Sequence, residues 1–307
     1  MMKEKVLITG ANGLLGQKLI GLLRQDPNYI VIATARGKNR FPDYNGYIYR
    51  SLDVCNREEV ANLVEEVKPS YIIHTAAMTN VDQCETDRDN CWQLNVRSVE
   101  YLVEACRVNN VHFIHLSTDF IFNGKNGPYK EEDPAEPISF YGDSKLAAER
   151  TITKSTIKWA ILRTVLVYGI VNDMSRSNII LWVKKSLEEN KQITVVTDQW
   201  RTPTLAEDLA MGCMLTMKHK ATGVFNISGK DMLTPYDMAI KTADYFKLNK
   251  SLILQGDSSN FKQPAQRPPK TGFVIDKAVN QLGYNPKSFE EGIEIVASQL
   301  KELETLV

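Results

Sequence analysis

With 307 residues, 43% of them hydrophobic, the chain is long enough to bury a sizeable core in one large domain or two coupled ones. Its 37 Lys and Arg balance its 37 Asp and Glu, and the net charge of zero argues against nucleic acid or an anionic membrane as the main partner. No apolar stretch approaches the roughly 20 residues that a membrane span requires.

The cysteines and histidines indicate a cytoplasmic protein without a metal site. The five cysteines are scattered and include no Cys-x-x-Cys pair, which is typical of reduced thiols. Met1 and Met2 lead almost directly into a predicted strand, so we expect no signal peptide. The four histidines lack the spacing of metal ligands, and His112 and His115, which lie along an apolar run, are interpreted as structural.

Short apolar runs alternate with helical patterns through the first half of the chain. The predicted strands are residues 6–9, 29–34, 47–52, 71–74, 111–116 and 159–162. The predicted helices are residues 17–23, 57–67, 87–109 and 141–153. Continuous apolar strands separated by helices form a parallel sheet that is covered on both faces, so the sequence predicts a doubly wound Rossmann α/β fold.

The pattern becomes less regular after residue 165. Helices are predicted at residues 178–187, 205–217 and 235–246 and from 289 onward, strands at 193–196 and 224–227, and a polar, proline-bearing segment at 251–272. We predict a dinucleotide-binding domain over residues 1–165. Over residues 166–307 we predict a smaller α/β lobe that mainly binds substrate, with some segments returning to the sheet. The pocket is expected at the carboxyl ends of the strands, between the lobes.

A glycine-rich turn joins the first predicted strand to the first helix. Its spacing, Gly-x-x-Gly-x-x-Gly, permits a tight turn, a close approach to a pyrophosphate and close packing of helix on strand. The N–H groups of the first helical turn would face the phosphates. A βα turn without a ligand is the alternative. We predict cofactor contacts from Gly10, Asn12, Gly13, Leu14, Leu15 and Gly16.

A second set of polar residues lies where the fifth strand ends and the next helix begins. Tyr141 and Lys145 are four residues apart and so share one helical face. An ammonium near a phenol lowers its pKa and would let Tyr141 exchange a proton near neutral pH. Thr118, at the strand end, could hold the same oxygen. The alternative is an ordinary solvent-facing Tyr/Lys pair.

Together these residues resemble the extended short-chain dehydrogenase/reductase family, and most closely its dTDP-4-dehydrorhamnose reductase branch. The match covers nearly the whole chain, with ordered motifs at residues 10–16, 74–77, 81–85, 94–96, 117–124, 128–129, 141–146, 162–169, 203–204 and 267–268. This resemblance implies a carbonyl reduction with a nicotinamide cofactor.

The resemblance also implies roles for single residues. Tyr141 is the proton donor, Lys145 holds the nicotinamide ribose and tunes Tyr141, and Thr118 binds the reacting oxygen. Asp119 lies beside the substrate, and Asn95 steadies the site through a water. The segment that passes along the cofactor consists of Ala76, Ala77 and Met78.

The loop after the second strand favours NADP(H), with NAD(H) as the alternative. NAD usually requires an acidic residue there, whereas this loop has Arg36, which suits a 2′-phosphate. Ordinary surface charge is the other interpretation. Asp53 and Val54, at the end of the third strand, are expected to border the adenine.

A nucleotide-activated sugar is the predicted substrate class. Arg201 and Arg267 stand where arginines clasp the diphosphate in the wider family, although a surface ion pair is the alternative for Arg201. The rhamnose branch usually has glycine at position 201, tryptophan at Leu166 and an aromatic residue or histidine at Met78. These departures leave open which nucleotide-sugar is bound.

Two other functions remain open. Residues 13–16, 128–133 and 222–229 resemble the NADP-binding regulatory β subunit of methionine adenosyltransferase as much as the reductase. An extended-family epimerase or dehydratase is a further alternative, but dehydratases normally have an acidic pair after the active-site Ser/Thr, and here Phe120 follows Asp119. A homodimer through the predicted helices at 87–109 and 141–153 is possible.

Overall fold

The computed structural model describes residues 3–172, 174 and 177–305; Met1 and Met2, on which the expectation of no signal peptide rests, lie outside the described residues. The helices are α1 (Leu14–Leu23), α2 (Arg57–Val67), α3 (Val81–Thr86), α4 (Arg88–Trp92), α5 (Ser98–Asn109), α6 (Phe140–Thr153), α7 (Ile179–Glu188), α8 (Ala206–Lys218), α9 (Pro235–Phe246), α10 (Asp276–Leu282) and α11 (Phe289–Glu304). The strands are β1 (Glu4–Thr9), β2 (Tyr29–Ala35), β3 (Ile48–Ser51), β4 (Tyr71–His74), β5 (His112–Thr118), β6 (Lys158–Thr164), β7 (Val167–Tyr168), β8 (Ile193–Val196), β9 (Thr204–Leu205), β10 (Gly223–Asn226) and β11 (Ile253–Gly256).

Seven of these strands form one parallel sheet in the order β10-β6-β5-β4-β1-β2-β3. Thr9 pairs with His74, and Thr118 pairs with Thr164, so the carboxyl ends of β1, β4, β5 and β6 lie along one edge. The strand order reverses direction between β1 and β4, and a doubly wound sheet binds its ligand in the crevice at such a point. The predicted doubly wound fold is confirmed.

The alternation of side chains along β1 shows how the sheet becomes buried on both faces. Val6 and Ile8 are buried with apolar residues of α1 and α8, whereas Leu7 is buried on the opposite face with residues of α2, α5 and α6. These two apolar layers fix the sheet between its helices. None of the helices in the described part of the chain combines the length and apolarity that a bilayer crossing requires.

The second half of the chain contributes to both parts of the molecule. β10 pairs with β6 at the edge of the main sheet, and α8 packs on the sheet with α1. In contrast, α7, α9 and α11 share separate apolar clusters, in which the ring of Phe289 lies 5.2 Å from that of Tyr168. The division at residue 165 stays a prediction.

Several short elements of the structure were not predicted from the sequence. α3 and α10 have six and seven residues, too few for a helical period to be visible, and neither was predicted. The helix predicted at 87–109 begins one residue later, because Asp87 is the non-helical N-cap of α4, and a π-helical turn at Gln93–Arg97 separates α4 from α5. The polar segment 251–272 contains β11, which pairs with β8.

Candidate active site

The glycine turn lies at the reversal point of the sheet and leaves no room for side chains. Gly10 has φ +70°, and a Cβ there would lie 2.6 Å from the backbone nitrogen of Ala76. A Cβ on Gly16 would lie 2.5 Å from the carbonyl oxygen of Gly10. Both positions therefore require glycine. Within the described residues no side chain caps α1, whose N-cap is Gly13, and its first turn has no acidic residue.

Asn12 shapes the loop after β2 with its side chain. Its Nδ2 donates to the carbonyl of Lys38 at 2.9 Å, and its Oδ1 accepts from the amide of Arg40 at 2.9 Å. From β3, the hydroxyl of Tyr49 donates to the carbonyl of Gly37 at 3.0 Å. The loop that carries the exposed Arg36 is therefore held from both sides.

Asp53 and Val54 lie next to this loop. The carboxylate of Asp53 accepts from the amide of Cys55 at 2.9 Å, and Val54 is buried. Burial raises the pKa of the Cys55 thiol, and the nearby charge of Arg36 opposes that rise. Arg36 and Asp53 thus lie near the same thiol, although they follow different strands.

The segment after β4 is held by a buried amide. Asn95, in the π-helical turn, accepts from the amide of Met78 at 2.8 Å and donates to the carbonyl of the same residue at 3.1 Å. It also donates to the hydroxyl of Ser144 on α6 at 3.0 Å. A role of Asn95 through a water stays a prediction. π-helical turns often occur at functional sites.

Thr118, Asp119 and Tyr141 are brought together at the carboxyl end of β5. Tyr141, in the first turn of α6, is 8% exposed, and its ring centroid lies 5.6 Å from that of Phe120. The hydroxyl of Thr118 donates to Asp119 at 3.1 Å. Burial raises the pKa of the Tyr141 phenol, and hydrogen bonding with Thr118 opposes that rise. The expected lowering of this pKa by Lys145 is therefore not found, because burial dominates.

Lys145 lies one helical turn from Tyr141 and points into the protein. Its ammonium donates to the carbonyl of Leu116 at 2.7 Å and to Nε2 of His115 at 3.1 Å. Burial lowers the pKa of Lys145 to about 8, and the charge of Glu149 opposes this. Sequence reasoning interpreted His115 as structural and missed this contact. The available signal was a polar residue in an apolar strand, two positions before Ser117.

Asp119 connects the strand end to the second half of the chain. Its carboxylate is buried, accepts a hydrogen bond from the hydroxyl of Thr271, and lies 3.7 Å from Nε of Arg201. Burial raises the pKa of Asp119, and Arg201 opposes the rise. The guanidinium of Arg201 also donates to the carbonyls of Pro268 at 2.7 Å and Trp200 at 2.8 Å. A diphosphate contact by Arg201 stays a prediction.

Arg267 lies in the same segment but is partly exposed. Its two Nη atoms donate to the carboxylate of Asp82 on α3 at 3.1 and 2.6 Å, and the amide of Ala265 also donates to Asp82 at 3.1 Å. Asp82 lies within the motif at residues 81–85, for which the sequence indicated no role. The pairing spans 185 residues of sequence, so no local pattern could reveal it.

Leu166 is the remaining predicted substrate residue. Leu166 follows the carboxyl end of β6, has φ +38° and is 43% exposed. A positive φ is uncommon for a residue with a branched apolar side chain, and such strain often occurs at functional sites. Between α7, β8 and the segment that carries Arg267 there is a cleft of about 200 Å³; its lining includes Trp182, Gln199, Phe261 and Gln263. Within the described chain no cluster of metal-ligating side chains is found.

One family model and three known proteins are similar to this chain. The family model described as "RmlD substrate binding domain" matches residues 3–302. A dTDP-4-dehydrorhamnose reductase of Aggregatibacter actinomycetemcomitans is 30% identical over 304 residues, covering 94% of this chain and 97% of that protein. Methionine adenosyltransferase 2 subunit beta of Mus musculus is 31% identical over 298 residues, covering 95% and 86%. A solved dTDP-4-dehydrorhamnose reductase of Bacillus anthracis str. Ames, in complex with NADP, has TM-score 0.83 and 28% identity, covering 97% of this chain and 100% of that one.

Proposed function

Since this chain belongs to the RmlD substrate binding domain family, we propose that it is an NADP(H)-dependent reductase of a 4-keto nucleotide-sugar. The observation that carries the proposal is the buried group at the carboxyl edge of the sheet. A phenol (Tyr141), a hydroxyl (Thr118) and an ammonium (Lys145) come together there, next to a βα turn that excludes side chains. Two reductase relatives, of which the match covers 97% and 100%, support the same activity.

The residues of the turn fit a dinucleotide. Gly10 and Gly16 are sterically required to be glycine, and the uncapped first turn of α1 offers its N–H groups to a pyrophosphate. Arg36 would bind a 2′-phosphate, and Asp53 with Val54 would border the adenine. NADPH, when bound, supplies the hydride. NAD(H) remains the alternative cofactor.

The chain itself supplies orientation and a proton. Because burial raises the pKa of Tyr141, the phenol keeps its proton at neutral pH and can donate it to the oxygen of the substrate carbonyl. Thr118 orients that oxygen by a hydrogen bond, and Lys145 holds the ribose hydroxyls of the cofactor. Ala76, Ala77 and Met78 form the wall along which the cofactor lies.

The substrate would extend from this group into the second lobe. Asp119 and Leu166 would contact the sugar, and Arg267 would bind the diphosphate after leaving Asp82. That exchange would break a bidentate pair whose side chains are 20% and 33% exposed. Arg201, whose guanidinium is buried, would act on the diphosphate mainly by holding the neighbouring segment in place.

The activity test is NADPH oxidation with a panel of 4-keto nucleotide-sugars. We expect Tyr141→Phe to reduce turnover by about 100- to 10,000-fold, the usual range for a lost general acid. NADPH binding should persist in this variant. Tyr245→Phe, at an exposed position on α9, is the control and should keep full activity. Unchanged turnover in Tyr141→Phe would refute the assigned mechanism.

An NADP-binding regulatory subunit is the second candidate. It is favoured by the mouse relative, which is 31% identical to this chain, compared with 30% for the reductase of Aggregatibacter actinomycetemcomitans. The two candidates differ in a simple way. A reductase turns over NADPH with a keto-sugar, whereas a regulatory subunit binds NADPH without turnover and co-purifies with a methionine adenosyltransferase catalytic subunit.

We also propose a cytoplasmic location and a homodimer. Free cysteines support the first: Cys55, Cys84, Cys91, Cys106 and Cys213 form no disulfide. For the second, the outer faces of the helices at 88–109 and of α6 are the candidate contact. Analytical ultracentrifugation of the purified chain tests it directly.

A further inference from the structure

The ammonium of Lys145 is anchored in the protein by two acceptors. The side chain is 3% exposed, and its Nζ donates to Nε2 of His115 at 3.1 Å and to the carbonyl of Leu116 at 2.7 Å. An ammonium has three N–H donors. No third acceptor for it lies among the residues that the structure describes, so one donor is left for a ligand in the crevice.

His115 is not held by other polar contacts. It is 1% exposed, and its ring is stacked with those of His74 and Phe113 at centroid distances of 5.5 and 6.1 Å. Its Nδ1 is buried and has no hydrogen-bond partner in the described part of the chain. Buried polar atoms are nearly always paired. Among the described residues, the His115 ring therefore has one hydrogen bond, and its partner is Lys145.

We propose that His115 is a positioning residue of the reductase: its Nε2 holds the Lys145 ammonium in the charged state and in the orientation that leaves one donor for the cofactor ribose. The inference rests on the proposed function. It adds a residue that the motif Thr118, Tyr141 and Lys145 does not contain.

The charges around Lys145 agree with this role. Burial lowers the pKa of Lys145 to about 8, and Glu149 and Cys91 oppose the shift. Burial also lowers the pKa of His115 well below its ordinary value and that of His74 to about 3, so both rings are neutral near pH 7. A neutral His115 accepts a hydrogen bond without repelling the ammonium. Loss of this acceptor would destabilise the charged form of Lys145 and lower its pKa further.

The experiment compares His115→Phe, which keeps a ring of similar shape, with His115→Gln, which keeps an acceptor. His112→Phe is the matched control, because His112 is buried on the same strand and has no contact with Lys145. NADPH affinity is measured by fluorescence across the pH range, without substrate. The rate of NADPH oxidation with a keto-sugar is measured over the same range.

For the wild type, both quantities should fall as pH rises through the pKa of Lys145. We expect His115→Phe to move that fall about one to two pH units lower, the size of a hydrogen bond to a charged group. His115→Gln should recover at least half of the shift, and His112→Phe should show none. If His115→Phe does not fold, His115→Met takes its place, because it lacks the amide acceptor at nearly the length of Gln.

The inference is overturned if the acceptor-free variant and the wild type share one pH profile for NADPH affinity, or if His112→Phe shifts it equally. Failure of the proposed function has a different signature. In that case no keto-sugar supports NADPH oxidation by the wild type, while the pH profile of NADPH affinity still reports on His115.

Discussion

Replacement of Arg201 by alanine separates an internal role of this arginine from a direct contact with substrate. Arg201 is 5% exposed, donates to carbonyls at 2.7 and 2.8 Å and lies 3.7 Å from the buried carboxylate of Asp119. Removal of one partner from a buried ion pair costs about 3–5 kcal/mol. We therefore expect Arg201→Ala to lower the free energy of unfolding by about that amount near neutral pH.

The pH dependence of this loss has a definite sign. Burial raises the pKa of Asp119 in the folded protein above its ordinary value, so the ionised carboxylate destabilises the fold as pH rises between the unfolded and folded pKa values. Arg201 opposes this effect. Without Arg201 the folded pKa rises further, and the stability difference between wild type and variant should widen as pH increases.

The assay is urea unfolding at several pH values, together with titration of nucleotide-sugars into each folded variant. Arg201→Lys keeps the charge but not the forked donor geometry, so we expect an intermediate loss of stability. Arg50→Ala is the control, because it removes a bidentate pair with Glu66 at the surface and should leave stability nearly unchanged. If Arg201→Ala and Arg50→Ala had the same free energy of unfolding, the internal role would be refuted. A selective loss of nucleotide-sugar affinity in Arg201→Ala would then favour a direct contact with substrate.

Three further predictions concern Arg36, Gly10 and Asp82. Arg36→Ala should weaken NADPH binding about tenfold or more in a fluorescence titration and leave NADH binding unchanged; an equal loss for both cofactors would contradict the 2′-phosphate contact. Gly10→Ala should lower the melting temperature and abolish NADPH binding, because φ at Gly10 is +70° and a Cβ there would lie 2.6 Å from the backbone nitrogen of Ala76. Gly21→Ala, inside α1, is the control and should be tolerated. Asp82→Asn should lower the KM for the nucleotide-sugar because it releases Arg267, and a raised KM would show instead that the pair positions Arg267.

Local patterns predicted the fold because each element carries its own signal. The apolar run at Val6–Ile8 and the glycine spacing after it define the first βα unit, and α2 and β4 have the predicted bounds. The four-residue spacing of Tyr141 and Lys145 likewise placed both in α6. Burial within a regular element follows from periodicity, which is visible in a single sequence.

Contacts between distant segments were not predictable in this way. The pairing of Arg267 with Asp82 and of Arg201 with Asp119 joins segments that are far apart in the sequence. The sequence pattern indicated a diphosphate contact for both arginines. The raised pKa of Tyr141 also depends on burial by several elements at once. The spacing of Tyr141 and Lys145 could not show that the Lys145 ammonium is bonded to His115 instead.

The hydrogen bond between Thr271 and Asp119 joins residues that are 152 positions apart. The ribosome therefore completes β5 and α6 long before it adds the residue that donates to Asp119. The proposed site, which includes Asp119, can be assembled only after most of the chain has been synthesised. A truncation before residue 271 should leave the buried carboxylate without this donor.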